Sequence, residues 1–275
     1  MDAKGLQAAV TSPRAARLPL LLLALAACGP TAGVQQEPQR REANPGERDY
    51  VAPPELSEVS VSPDRHLTLA GAAAPGARVR IATPDGAAAT TVADAAGRWR
   101  LPAPGSAGPR LLGLSMTVQG RTVQAQGYLF VAPDGSAARL RAGGGGETVP
   151  PRPSPPNIET VDYDRAAGAV VSGRTGPGET VTMRVDGVQR GAAMADGAGR
   201  YVLALASPLS FGQHDLALAT ASGQAHVSVT VDAAAPLTRS PFRAAQTAYG
   251  WRIDWLTPGG GEQTTLIIQS AEPRL

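Results

Sequence analysis

From Leu56 onward, apolar residues alternate with polar ones in short runs bounded by Gly, Pro and Asp. Leu56, Val59 and Val61 precede a Ser62-Pro63-Asp64 turn, and Leu67 and Leu69 follow it. Val79 and Ile81 alternate with Arg78 and Arg80, the two-residue period of a half-buried strand. Pro84-Asp85-Gly86 makes another turn, and Trp99 and Leu101 share one face of a later strand. Tyr128 to Val131, Pro133-Asp134-Gly135 and Ala138 to Leu140 read as a hairpin. Strands of four to six residues with a turn every 8–12 residues predict β-sandwiches, and no stretch beyond the amino terminus has a helical period.

The pattern occurs twice, 102 residues apart without a gap. Gly71, Pro75, Gly76, Val79, Ala93, Asp94, Gly97, Arg98, Trp99 and Leu101 recur as Gly173, Pro177, Gly178, Val181, Ala195, Asp196, Gly199, Arg200, Tyr201 and Leu203. Nine of these ten pairs are identical, and the tenth exchanges one aromatic for another. So long a period means two whole domains in tandem. The predicted organisation is a first domain over 54–142, a linker over 143–156 and a second domain over 157–232. The linker holds four consecutive glycines and then prolines, a flexible stretch followed by a stiff one. A carboxyl-terminal extension over 233–275 ends in a hairpin. Gly250 to Trp255 and Gln263 to Gln269 are its strands, and it echoes the Gly127 to Leu140 hairpin.

Within each repeat, Asp94 and Asp196 are placed to bond backbone amides two residues on, with Gly97 and Gly199 closing the turn. Trp99 and Tyr201 are the large core anchors that a chain with 4% aromatic residues needs.

The amino terminus differs. Lys4, Arg14 and Arg17 precede an apolar run from Leu18 to Ala27, too short for a permanent membrane span but of signal-peptide length. It ends Leu25-Ala26-Ala27-Cys28-Gly29, and Cys28 is the only cysteine. Residues 1–27 carry a net charge of +2, the whole formal charge of the chain, so the remainder is near neutral and has no electrostatic motive for nucleic acid. A polar stretch to Pro53 reads as a disordered tether, residues 28–53, with a reach of roughly 25–30 Å. A single cysteine forms no internal disulfide, so burial and strand pairing must hold the fold.

With these residues in view, the first 28 positions resemble the lipobox of bacterial lipoproteins. That resemblance implies cleavage before Cys28, acylation of its sulfur, and a membrane partnership through acyl chains. Gly29 after the cysteine implies sorting to the outer membrane, facing the periplasm or the surface. The two repeats resemble bacterial immunoglobulin-like domains of envelope proteins. Their Pro-Gly-x-x-Val and Ala-Asp-x-x-Gly-x-aromatic elements stand in both units. The Leu-x-x-Gly-x-His-x-Leu element stands in the second as Leu209, Gly212, His214 and Leu216, whereas the first has Gly108, Arg110 and Leu112 and no His. The units are also similar to segments that precede LysM modules in proteobacterial proteins, although no LysM motif follows here. The fold class implied is all-β: two tandem Ig-like β-sandwiches with a carboxyl-terminal β-hairpin, after a lipoprotein signal peptide and tether.

Candidate chemistry is sparse. His66, His214 and His226 fall in no metal-ligand spacing, and Gly105-Ser106-Ala107-Gly108 is one residue short of a nucleophile elbow. Asp94 and Asp196 lack the neighbouring acids of a calcium loop. No catalytic residue, metal site or cofactor is therefore expected. Trp251 and Trp255, two residues apart with Ile253 between them, are the candidate ligand-binding residues: a stacking platform for a sugar ring or a partner groove, or else a cover for an open face of the second domain. Leu266 and Ile268 are expected on the same face. The expectation is a lipid-anchored envelope protein with a structural, adhesion or binding role toward an envelope protein or glycan. Its rival is an accessory subunit or hydrolase of envelope or peptidoglycan metabolism.

Overall fold

The computed structural model describes residues 50–62, 64, 66–103, 106–150 and 152–269. The signal peptide, Cys28 and most of the expected tether lie outside these residues. Asp49–Leu275 forms one compact unit.

Twenty strands and no helix are present among the described residues. The first repeat contains β1 (Glu55–Val61), β2 (Leu67–Ala72), β3 (Arg78–Ala82), β4 (Ala88–Val92), β5 (Arg98–Ala103), β6 (Arg110–Val118), β7 (Arg121–Gln124), β8 (Tyr128–Val131) and β9 (Ala137–Leu140). A short β10 (Glu147–Thr148) follows. The second repeat contains β11 (Asn157–Asp164), β12 (Ala169–Arg174), β13 (Thr180–Val185), β14 (Val188–Met194), β15 (Arg200–Ala204), β16 (Gly212–Ala219) and β17 (Gln224–Val231). The chain ends with β18 (Phe242–Thr247), β19 (Gly250–Leu256) and β20 (Glu262–Ile268).

Each repeat folds as two facing antiparallel sheets. In the first, β1-β2-β5 faces β10-β9-β8-β6-β3-β4, with β7 also on β6. In the second, β15-β12-β11-β20-β19-β18 faces β14-β13-β16-β17. Alternation decides which side chains meet between the sheets. Leu69, Trp99 and Leu101 meet Val79, Leu114 and Met116 in one core, and Val171, Tyr201 and Leu203 meet Val181, Met183 and Leu216 in the other. The all-β tandem sandwich is thus the architecture, and the repeated residues have repeated jobs.

Gly71 and Gly173 show why. Each lies beside a bulge in the neighbouring strand, β1 or β11, and faces the aromatic of the next strand across. A Cβ at Gly71 would sit 1.9 Å from the Glu55 carbonyl oxygen and 2.8 Å from the Trp99 ring. At Gly173 it would sit 2.2 Å from the Asn157 oxygen and 2.8 Å from the Tyr201 hydroxyl. Trp99 Nε1 donates to the Ala72 carbonyl at 3.0 Å, and the Tyr201 hydroxyl donates to the Asn157 carbonyl at 2.9 Å, so either aromatic can fill the slot. Asp94 and Asp196 do accept from the amides two residues on, at 2.9 Å each.

The two sandwiches part company at their edges. After β8 the first adds β9 and β10 to the sheet of β6. After β17 the second crosses over, so that β20 pairs with β11 along Thr160 to Asp164. The two hairpins that echo each other in sequence therefore lie on non-equivalent sheets. The extension beyond residue 232 is also more than a hairpin: three strands complete the second sandwich, and Leu266 and Ile268 enter its core.

Candidate functional site

The outer face of β11, β12, β19 and β20 meets the β8–β9 hairpin of the first repeat, and this junction gathers the chemistry of the chain. Its apolar half contains Leu111, Phe130, Ala138 and Leu140 against Trp251, Ile253, Trp255 and Ile267. Phe130 and Trp251 are 5.7 Å apart between ring centroids, and Tyr128 meets Trp255 edge-on at 5.9 Å. Trp251 is 8% exposed and Trp255 fully buried. Their indole N–H groups donate to Asp134 at 3.3 Å and to Thr265 at 3.1 Å.

That placement corrects two expectations. The Trp pair is closed over by the first repeat, so it offers no open platform, and what it covers is the neighbouring sandwich. The partners on the return strand are also off by one. Trp251 pairs with Ile267 and Ile253 with Thr265, whereas Leu266 lies opposite Arg252. A one-residue shift exchanges the faces of a strand, which is why Leu266 and Ile268 serve the second core instead.

The expected flexible linker lies against the polar half. Gly146 N–H donates to Asp162 at 3.3 Å and its carbonyl accepts from Thr160 at 3.1 Å. The Gln263 side chain accepts from the Gly143 amide at 2.8 Å and donates to the Arg141 carbonyl at 2.9 Å. A Cβ at Gly144 would strike the Val170 side chain at 2.6 Å. Gly144 and Gly146 permit close approach, the latter with an added Cβ 3.2 Å from the Arg139 carbonyl oxygen. Asp162 is 2% exposed and accepts further bonds from Thr265 at 2.6 Å and Gln263 at 3.1 Å. Burial raises its pKa above the ordinary carboxylate value in spite of those bonds.

Beside Asp162 lies a network of five guanidiniums and three carboxylates. Glu147 meets Arg139 at 2.8 Å, Arg174 at 3.4 Å and Arg141 at 3.7 Å. Glu159, 1% exposed, meets Arg174 at 3.3 Å and Arg152 at 3.6 Å, and accepts from the Thr148 amide at 2.9 Å. Arg200 and Asp196 pair at 2.9 Å on the rim. Glu159 is the buried member, and removing it leaves Arg174 and Arg152 without their counter-charge, at a cost of about 3–5 kcal/mol. A cleft of about 310 Å³ opens between these groups. A second cleft, about 530 Å³, takes in His226 and Tyr249 at the mouth of the second sandwich.

Apart from Asp196 and Arg200, which recur in the repeat, none of the junction charges stood out in the sequence. The signal was there in the differences between repeats. Glu159, Asp162, Ser172 and Arg174 stand where the first repeat has Ser57, Ser60, Ala70 and Ala72. The first set faces the junction; Ser57, Ser60 and Ala72 face solvent.

The remaining histidines and serines resolve simply. His214 is 7% exposed, with Nδ1 2.7 Å from Asp186 and Nε2 2.8 Å from the Ser210 carbonyl; the Ser210 hydroxyl is 3.4 Å away. An Asp, a His and a Ser in a row suggest acyl transfer, but both ring nitrogens face acceptors. That arrangement is the one an imidazolium satisfies with both N–H groups, and with Nε2 on the Ser210 carbonyl no ring lone pair is directed at the serine hydroxyl. Burial opposes that charge, and the bonds to Asp186 and Ser210 outweigh it, so the pKa is raised. Ser106 accepts from the Gly108 amide at 3.3 Å within its loop. No group of three or more His, Cys, Asp or Glu side chains suited to a metal occurs among the described residues.

No protein-family model matches the chain. No curated protein matches it either. Among solved structures, the BSP domain of a biofilm-associated protein is similar over 68% of this chain at 15% identity, with a TM-score of 0.23. This chain spans 30% of that structure's length. A central fibronectin-III array of RIM-binding protein is similar over 80% of this chain and 90% of its own length, at 12% identity and a TM-score of 0.26. A Ca2+-stabilised adhesin with which an Antarctic bacterium binds ice is similar over 79% and 92%, at 12% identity and a TM-score of 0.21. Scores this low carry nothing about function to this chain, and the fold stands on its own strand order and cores.

Proposed function

We propose that this chain is a lipid-anchored envelope protein whose two sandwiches act as a single non-catalytic module, holding an adhesion or binding surface at a set orientation. The observation that carries this is the junction: Trp251, Trp255 and Phe130 buried between the repeats, with the 143–148 segment hydrogen-bonded into it. Aromatic burial on this scale fixes the relation of two domains, where a loose linker would leave it free. Such a module suits display and spacing. The anchor rests on Leu25-Ala26-Ala27-Cys28, and the outer-membrane destination on Gly29.

The test has two arms. In bacteria fed labelled palmitate, the parent chain should take up label and Cys28→Ser should not; label persisting in the variant sinks the anchor. The purified full chain is then screened against envelope protein extract, peptidoglycan, envelope glycans and ester substrates. Specific capture is expected. Turnover of an ester or of peptidoglycan would instead favour the hydrolase.

A further inference from the structure

The 310 Å³ cleft in the polar half of the junction is built from both repeats. Arg141 closes the first repeat, Glu147 belongs to β10 just after it, and Glu159, Ser172, Arg174 and Tyr201 belong to the second. It exists only because the junction is closed.

Its walls hold unmet hydrogen-bonding capacity. Among the described residues, six buried side-chain polar atoms lack a hydrogen-bond partner, and four belong to residues lining this cleft: Arg141 Nε, Arg174 Nε, Glu159 Oε1 and Ser172 Oγ. Ser172 and Glu159 are 2% and 1% exposed. Arg174 Nε and Glu159 Oε1 lie 3.3 Å apart as an ion pair, without the alignment of a hydrogen bond. Native interiors leave few such atoms, and each one calls for an explanation. The charges lining the cleft are matched, Arg141, Arg174 and Arg200 against Glu147, Glu159 and Asp196. What the two orphaned guanidinium N–H groups lack is therefore an acceptor, and what Glu159 Oε1 lacks is an aligned donor. Met194 and Val202 stand on the rim, 72% and 56% exposed, giving an apolar shelf beside a charged floor.

We infer that this cleft binds the carboxyl terminus of a peptide. The ligand needed is an anion with an N–H donor close to it and a small apolar side chain. A terminal carboxylate accepts from Arg141 and Arg174, both of which line the cleft. The amide N–H of the last residue supplies an aligned donor to Glu159 Oε1, and Ser172 can serve either group. The last side chain lies on Met194 and Val202. This site stands on the junction geometry and does not require the lipid anchor.

The experiment is a titration of the isotope-labelled full chain, read at the amides of Gly145, Gly146 and Ser172. The probes are N-acetyl-Ala-Ala with a free carboxylate, the same dipeptide amidated, and acetate. The acid should give saturating shifts. The amide and acetate should each bind at least ~10-fold more weakly, since one loses the charge-assisted bonds and the other the amide and apolar contacts. Arg141→Gln should weaken the acid by about 10-fold. Met194→Ser, on the exposed rim, should weaken it without lowering the melting temperature, so that binding is tested even if Arg141→Gln disturbs the junction. No saturating shift with the acid, equal binding of acid and amide, or equal binding of acetate and dipeptide would each overturn the assignment.

Discussion

Trp255→Ala is the substitution that most directly probes the junction. The ring is fully buried, touches Tyr128 edge-on at 5.9 Å, and donates to Thr265 at 3.1 Å. Thr265 keeps its own bond to Asp162 at 2.6 Å when the indole is gone, so no buried hydroxyl is orphaned. The loss is therefore mainly packing: about 3–5 kcal/mol for removing a buried Trp, of which roughly 1 belongs to the aromatic pair. For a body of this size each kcal/mol moves the melting temperature by about 2–4 °C, so a fall of roughly 6–20 °C is expected. Calorimetry measures it, and hydrogen exchange should show protection lost in β8 and β9 as well as in β19, because the ring sits between them. The three tryptophans are 3%, 8% and 0% exposed, so parent emission should be blue-shifted. A melt within ~2 °C of the parent, or red-shifted emission before denaturation, would show that the ring is exposed and the junction open.

Two more outcomes follow from the turns and from His214. Gly178 has φ +70° with nothing within 4 Å of an added Cβ, whereas Gly199 has φ +75° and would put that Cβ 2.3 Å from the Thr175 carbonyl; chemical denaturation should show Gly178→Ala costing about 1–2 kcal/mol for the left-handed backbone and Gly199→Ala clearly more, and equal costs would refute the close approach. His214 has its pKa raised, so the stability it contributes is present in full below the unfolded value of about 6.5 and is lost as pH rises through the folded value; NMR titration should place that value above the unfolded one, His214→Gln should flatten this part of the stability profile, and a folded pKa at or below the unfolded one would contradict the imidazolium assignment.

Much of this architecture is local and was therefore legible in the sequence. Turns such as Asp94 to Gly97 close on their own backbone, and the two-residue period at Val79 and Ile81 names the buried face without reference to anything distant. The 102-residue repeat extends that reading from one sandwich to two. What the chain determined only by folding is where the two meet. Trp251 and Trp255 announce an apolar face, but an apolar strand face looks the same whether it covers its own sandwich, a neighbour or a ligand. The choice was made by β20 pairing with β11, a contact over a hundred residues apart in the chain, which turned that face toward Phe130 and Tyr128. The same long-range pairing put Leu266 into the second core, buried Asp162 and Glu159 beneath the glycines of 143–146, and closed the cleft around Arg141 and Arg174. Charged residues on one face of an antiparallel sheet ordinarily mean a solvated face. Here the first repeat took the place of that solvent, and a position in space is something no local pattern encodes.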